Sequence, residues 1–196
     1  AASGNKVSGF DVNPVVREKL NKFEAPVSET NLAKELERAK DNYKIYHSSL
    51  EVLENSDIIY IIVPTPSKSD GTFDTTYLED VLKSFSSTTV DCSDKSIVIT
   101  STVLPGDTIT KLKQITINSN EYLSKISYCY SPEFIALGSV IKNLRNPDFI
   151  LVGEENSRAG DTHIRVMKSI INNPATPIRR MSIESAEMAK IAINSY

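Results

Sequence analysis

The segment Asp57–Val63 (DIIYIIV) is a continuous apolar, largely β-branched run, stopped at once by Pro64-Thr65-Pro66. A run of this kind reads as a strand buried on both faces, as in a parallel sheet covered by helices. Proline cannot donate to a ladder, so the strand ends there. The rest of the chain keeps the same rhythm. Lys6–Asp11 (KVSGFD), Tyr43–His47, Lys95–Thr100 (KSIVIT), Lys125–Tyr130, Asp148–Gly153 (DFILVG) and Pro177–Met181 read as further strands. Helical segments lie between them. Pro14 opens one that continues over Val15–Lys22, and Thr30–Lys40 is rich in helix formers. Capping boxes at Ser48-x-x-Glu51 and Thr76-x-x-Glu79 start two more, the second running to about Phe85. Residues from about 107 to 117, Asn156–Ile171 and a segment capped by Ser182 complete the set. Strands alternating with helices predict an α/β layered domain: a doubly wound, mainly parallel sheet with right-handed crossovers. A boundary near Asn172–Thr176 would separate residues 1–176 from residues 177–196, a last short strand and the start of a connecting helix.

Glycine is scarce. The chain has 7 in 196 residues, and no two form a G-x-G, so it holds neither a P-loop nor a complete dinucleotide fingerprint. Net charge is −3 with lysines and arginines scattered, which argues against a nucleic-acid face. The longest apolar run, Ile58–Val63, is far short of the roughly 20 residues of a membrane helix. Cys92 and Cys129 are an isolated pair, which fits reduced thiols in a cytoplasmic protein. Cys129 reads as a small core residue and Cys92 as part of a polar loop. Neither has a basic neighbour that would activate it. His47 and His163 are isolated, with no metal-ligand spacing.

Ligands of doubly wound sheets bind at the carboxyl ends of the strands, and the unusual residues gather at those ends. Asp11 ends the first strand and is either a ribose-binding acid or a turn residue before Asn13-Pro14. Val63, Pro64, Thr65 and Pro66 form a stiff turn with one hydroxyl. Ser101 and Thr102 are two hydroxyls that could hold a ligand oxygen or cap the next helix. Glu133 follows Ser131-Pro132 among Tyr128, Tyr130, Phe134 and Ile135. It is either a desolvated carboxyl suited to proton transfer or an acceptor at a helix start. Lys190 and Asn194, spaced i, i+4, share a helix face that could stabilise developing negative charge or lie in solvent. The charge run Lys34–Lys40 reads as a solvated face.

In this order and spacing, KVSGFDVNP, DIIYIIVPTP, DGTFDTTYLEDVL, VITSTVLPGDT, YSPEFIALGSVIKNLRNPDFILVGE and SAEMAKIAINSY resemble the UDP-glucose/GDP-mannose dehydrogenase family over nearly the whole chain. The Pro-Glu-Phe at 132–134 is most similar to the UDP-glucose 6-dehydrogenases. The resemblance implies a Rossmann-like fold and oxidation of UDP-glucose to UDP-glucuronate with two NAD and one water, by way of a thiohemiacetal and a thioester on a cysteine. It implies Asp11 on the ribose, Val63, Pro64, Thr65 and Pro66 beside NAD, Ser101 beside the nicotinamide and Thr102 ordering a water. It also implies Glu133 assisting thioester hydrolysis, Phe134, Ile135, Ala136 and Leu137 lining the sugar, and Lys190 with Asn194 on the substrate and its oxyanion.

Two departures stand out. Leu137 is apolar where many relatives carry an acid, and Val16 takes a place often basic, with Arg17 next to it. The resemblance further places a first strand with G-x-G-x-x-G ahead of Ala1, and a Gly-x-Cys-x-Pro nucleophile, a long dimer-forming helix and a UDP-binding domain after Tyr196. On that expectation the chain is a fragment. Alone it would be inactive, bind NAD weakly and expose unpaired strand edges, and the whole protein would be a homodimer. A UDP-N-acetylhexosamine or GDP-mannose dehydrogenase is the near alternative, and a non-catalytic nucleotide-binding module the distant one.

Overall fold

The computed structural model describes residues 1–135 and 138–195. Two parallel strands, β1 (Val7–Gly9) and β2 (Tyr43–Ile45), form one small sheet, joined through helices α1 (Pro14–Asn21) and α2 (Leu32–Ala39). Helix α3 (Ser49–Glu54) then leads into a five-stranded sheet of β3 (Ile58–Ile61), β4 (Ser96–Ile99), β5 (Ser127–Tyr130), β6 (Ile150–Glu154) and β7 (Ile178–Met181), in that spatial order. All its pairs are parallel except β5 with β6. Helix α4 (Thr76–Ser84) connects β3 to β4. A π-helical turn (Thr108–Leu112) continuing as α5 (Lys113–Ile117) connects β4 to β5. Helices α6 (Val140–Arg145), α7 (Ser157–Ile170) and α8 (Ile183–Ser195) follow β5, β6 and β7. The alternation of strand and helix therefore gives the doubly wound α/β architecture.

Both faces of the sheet are covered. Leu78, Leu82, Phe85, Leu112, Leu123, Tyr128, Tyr130 and Ile183 fill one side under α4, α5 and α8. Val98, Cys129 and Ala159 pack on the other under α7. Strands β4 and β5 are buried at every position because each has a partner on both edges. The β3 run differs from the sequence expectation. Ile59 and Ile61 are buried, Ile58 and Tyr60 only partly, and Ile62 is 64% exposed. The reason is topological: β3 pairs with β4 alone, and a cavity of about 440 Å³ separates it from β1.

Local corrections are small. The Ser48–Glu51 capping box forms with both reciprocal bonds. At α4 the N-cap is Thr75 rather than Thr76 and makes no side-chain cap bond: its Oγ1 donates to Glu79, and Asp74 Oδ1 accepts from the Thr76 amide and hydroxyl instead. Helix α6 carries no clear periodicity and was not expected. Cys92 is in a loop but fully buried. Strand β7 pairs with β6, and α8 packs on β5 and β6. Gly153 marks the crossing: a Cβ there would lie 2.8 Å from Ala186 Cβ and 2.9 Å from Ile183 Cα.

Candidate active site

Parallel β3, β4 and β5 bring three loops to one end of the sheet, and side-chain hydroxyls tie them together. Ser101 Oγ accepts from the Val63 amide (3.0 Å) and donates to the Val63 carbonyl (2.6 Å). Thr65 Oγ1 donates to the Thr102 carbonyl at 2.7 Å. Two prolines and two hydroxyl bridges hold this rim with little freedom. Pro64 and Pro66 are exposed and Thr102 half-buried.

The β5 end carries Ser131-Pro132-Glu133-Phe134. Glu133 is half-buried, and burial raises its carboxyl above the usual range while nearby Lys190 partly offsets that. Among the described residues no N–H donates to its carboxylate, and the next helix begins at Val140. Phe134 packs on Phe149 with ring centroids 5.2 Å apart. Ile135 is 38% exposed, and Ala136 and Leu137 lie outside the described residues.

Helix α8 reaches the same loops. Lys190 is buried, donates to the Glu133 carbonyl at 2.8 Å and lies 4.5 Å over the Phe134 ring. Burial pulls its pKa down, against an upward pull from Glu133. The solvated-face reading therefore fails for Lys190. Asn194, one turn on, is exposed. Glu187, which the sequence reading passed over, is fully buried. Its two oxygens accept from the Gly106 amide (2.6 Å) and the Thr108 amide (3.0 Å). It thereby satisfies donors at the start of the turn after Pro105-Gly106 and fixes α8 to the β4 loop. Its place inside AEMAK was the signal that could have singled it out.

Asp11 lies two residues beyond β1. Its Oδ1 accepts from the Asn13 amide at 2.8 Å, so the turn role is real, and Asn13 in turn caps α1. Arg17 folds back onto the Asp11 and Val12 carbonyls, at 2.6 and 3.1 Å. The cavity between β1 and β3 opens beside Asp11, Val63 and Pro64. The cavity thus has one carboxylate at its edge and mostly apolar walls.

More distant ties were not legible in the sequence. Glu29 accepts from the Gly138 and Val140 amides (3.0 and 3.1 Å), and Arg145 pairs with Glu35 at 2.6 Å. Glu35 thus leaves the solvated face expected of its helix and holds the segment after Glu133 to α2. Both cysteines are buried. Burial pushes the Cys129 thiol up to about 12 and raises that of Cys92, so neither is a ready nucleophile. Among the described residues there is no cluster of metal-ligating side chains, and no helix is long and apolar enough to cross a membrane.

A mostly parallel sheet with its loops gathered at the strand ends, a proline-stiffened rim and a buried lysine beside a half-buried glutamate gives a Rossmann-type domain of the dehydrogenase kind. Residues 1–171 match the NAD binding domain of the UDP-glucose/GDP-mannose dehydrogenase family, and the chain belongs to that family. It is 28% identical over its whole length to UDP-glucose 6-dehydrogenase AglM of Haloferax volcanii, and 28% identical to GDP-mannose 6-dehydrogenase of Pseudomonas putida. It spans 46% and 45% of those two proteins. Among solved structures, a ternary complex of GDP-mannose dehydrogenase from Pseudomonas aeruginosa superposes with a TM-score of 0.87 at 26% identity, over 99% of this chain and 45% of that one. A UDP-glucose dehydrogenase from Pyrobaculum islandicum gives 0.84 at 28% identity, over 97% of this chain and 44% of that one.

Proposed function

We propose that this chain is the cofactor-binding part of an NAD-dependent dehydrogenase that oxidises UDP-glucose to UDP-glucuronate. The observation that carries the reading is the Glu133–Lys190 arrangement at the carboxyl end of β5, beside the hydroxyl-bridged rim of β3 and β4. NAD, when bound, accepts the hydride from the sugar carbon. Asp11 would take the ribose, Val63, Pro64, Thr65 and Pro66 would flank the dinucleotide, and Ser101 and Thr102 would face its reactive end. Lys190 spends one of its three protons on the Glu133 carbonyl, which leaves donors for a developing oxyanion. Glu133, its pKa raised by burial, holds a proton more readily than an exposed carboxylate, which suits it to proton transfer. Phe134, Ile135, Ala136, Leu137 and Asn194 would border the sugar.

The buried thiols of Cys92 and Cys129 mean that a nucleophile, where the reaction needs one, comes from outside residues 1–196. The slot between β1 and β3 is the place a further strand would take, and a glycine-rich turn after it would hold the pyrophosphate. Pro-Glu-Phe favours UDP-glucose. GDP-mannose is the second reading, supported by the equal identity to the Pseudomonas putida enzyme.

The test is NADH formation by the full-length protein with UDP-glucose, GDP-mannose and UDP-N-acetylhexosamines in parallel. Fastest turnover with UDP-glucose supports the proposal. Turnover with GDP-mannose alone moves the assignment to the second reading, and no NADH with any of them overturns both. Residues 1–196 alone should bind NAD weakly in calorimetry, and tight binding would refute the account of the missing pyrophosphate cradle.

A further inference from the structure

Below the Glu133 loop lies a cavity of about 300 Å³, bordered by Pro132, Phe134, Phe149 and Met167 and floored by Tyr60, Ser131 and His163. The loop therefore lacks close packing on this side. A buried chain of hydrogen bonds holds its root. Tyr60 Oη lies 2.9 Å from His163 Nδ1, His163 Nε2 lies 2.8 Å from Ser131 Oγ, and Ser131 Oγ donates to the Leu151 carbonyl at 2.8 Å. The chain joins β3, α7, the end of β5 and β6.

Its direction is determined. A serine hydroxyl has one proton, and Ser131 gives it to Leu151, so Ser131 must accept from His163. His163 is then protonated at Nε2 and bare at Nδ1, and Tyr60 donates to it. Every group in the chain is satisfied only when the imidazole is neutral. Burial favours that state, bringing the His163 pKa down to about 4.

We propose that His163 is a positioning residue: as a neutral Nε2–H tautomer it fixes Ser131, and through Ser131 the peptide that carries Glu133. Lys190 grips the Glu133 carbonyl from the opposite side of the loop, and the His163 chain grips the root two residues earlier. With the root released, the carboxyl moves relative to Lys190. The inference rests on the reading of Glu133 as a working carboxyl.

The test compares His163→Leu with His163→Gln in the full-length enzyme. Leucine fills the space without polar atoms. Glutamine has a donor for Ser131 and an acceptor for Tyr60. A misplacement on the order of 1 Å costs on the order of a hundredfold in rate. His163→Leu should lower kcat roughly thirtyfold to a hundredfold, leave KM for NAD within about twofold, and be largely rescued in His163→Gln. Wild-type kcat in His163→Leu would overturn the proposal. So would equal losses in both variants with both folded, because a general packing role predicts no rescue.

Should the wild-type enzyme oxidise no nucleotide sugar, the functional reading falls and the structural one is still decided by NMR on residues 1–196. Imidazole nitrogen shifts should report the Nε2–H tautomer, and the Glu133 and Phe134 amide signals should shift in His163→Leu and return in His163→Gln. An Nδ1–H tautomer, or unmoved amides in His163→Leu, would overturn it. Where His163→Leu fails to fold, Tyr60→Phe takes its place, since it keeps the ring and removes only the donor to Nδ1.

Discussion

Lys190 holds three relationships through one ammonium group. It donates to the Glu133 carbonyl, lies over Phe134 and lowers the cost of the Glu133 charge. Replacing it with methionine keeps most of the stem packing and removes the charge. The expected result is a kcat about a hundredfold lower in the full-length enzyme, and turnover within tenfold of wild type would show that Lys190 only props the loop. His163 gives a pH prediction. Its folded pKa, about 4, lies below the ordinary 6.5, so the unfolded chain binds the proton first as pH falls. This contribution to stability is therefore complete above about pH 6.5 and shrinks as pH drops toward 4. Glu133 and Glu187, with raised pKa values, work in the opposite direction. Urea unfolding at pH 7 and pH 5 isolates the histidine when wild type is compared with His163→Gln. Wild type should lose about 2 kcal/mol more between those pH values. Equal losses would show that the imidazole is not held neutral by the fold.

At the scale of elements, most of the chain was legible. Apolar runs and their terminators located every strand of the sheet, and Pro14, Ser48, Asn156 and Ser182 marked helix starts that the structure confirms. What failed was local competition between equivalent caps. At α4 the Asp74 carboxylate accepts from both the Thr76 amide and hydroxyl, so Thr76 lies inside the helix and Thr75 takes the N-cap position. Helix α6 is too short for periodicity to register, and long-range bonds from Glu29 and Glu35 stabilise it. Gly153 shows how an element contact constrains a single residue. A methyl group there meets α8 at both Ala186 and Ile183, where no flexible side chain can yield. Gly153→Ala should lower stability by about 2 kcal/mol and Tm by about 5 °C. A neutral result in a thermal melt would mean that α8 can lift from β6 without loss.

Across the whole molecule, the decisive feature is the gap between β1 and β3. Each strand has one paired edge and one edge on the cavity, and exposed Ile62 lies at its rim. Open apolar edges recruit other chains, and lysine is a natural deterrent. Residues 1–196 should therefore self-associate in sedimentation velocity, and Ile62→Lys should reduce this without lowering Tm. Association unchanged by that substitution would place the contact elsewhere, for instance at exposed Met188 and Ile193 on α8.

The amino-acid order by itself determined the layering, the strand positions and the type of residue at each strand end. Those properties follow from local periodicity and from what proline, serine and aspartate do to their own backbone. Only the tertiary structure decided which groups meet. The Lys190 ammonium reaches a loop 57 residues away, and His163 joins Tyr60 across 103 residues. The same structure turned Lys190 inward while leaving Asn194 in solvent, although the two share one helical spacing. Contacts of this kind depend on burial and chain crossing, and neither is encoded in the neighbours of a single residue.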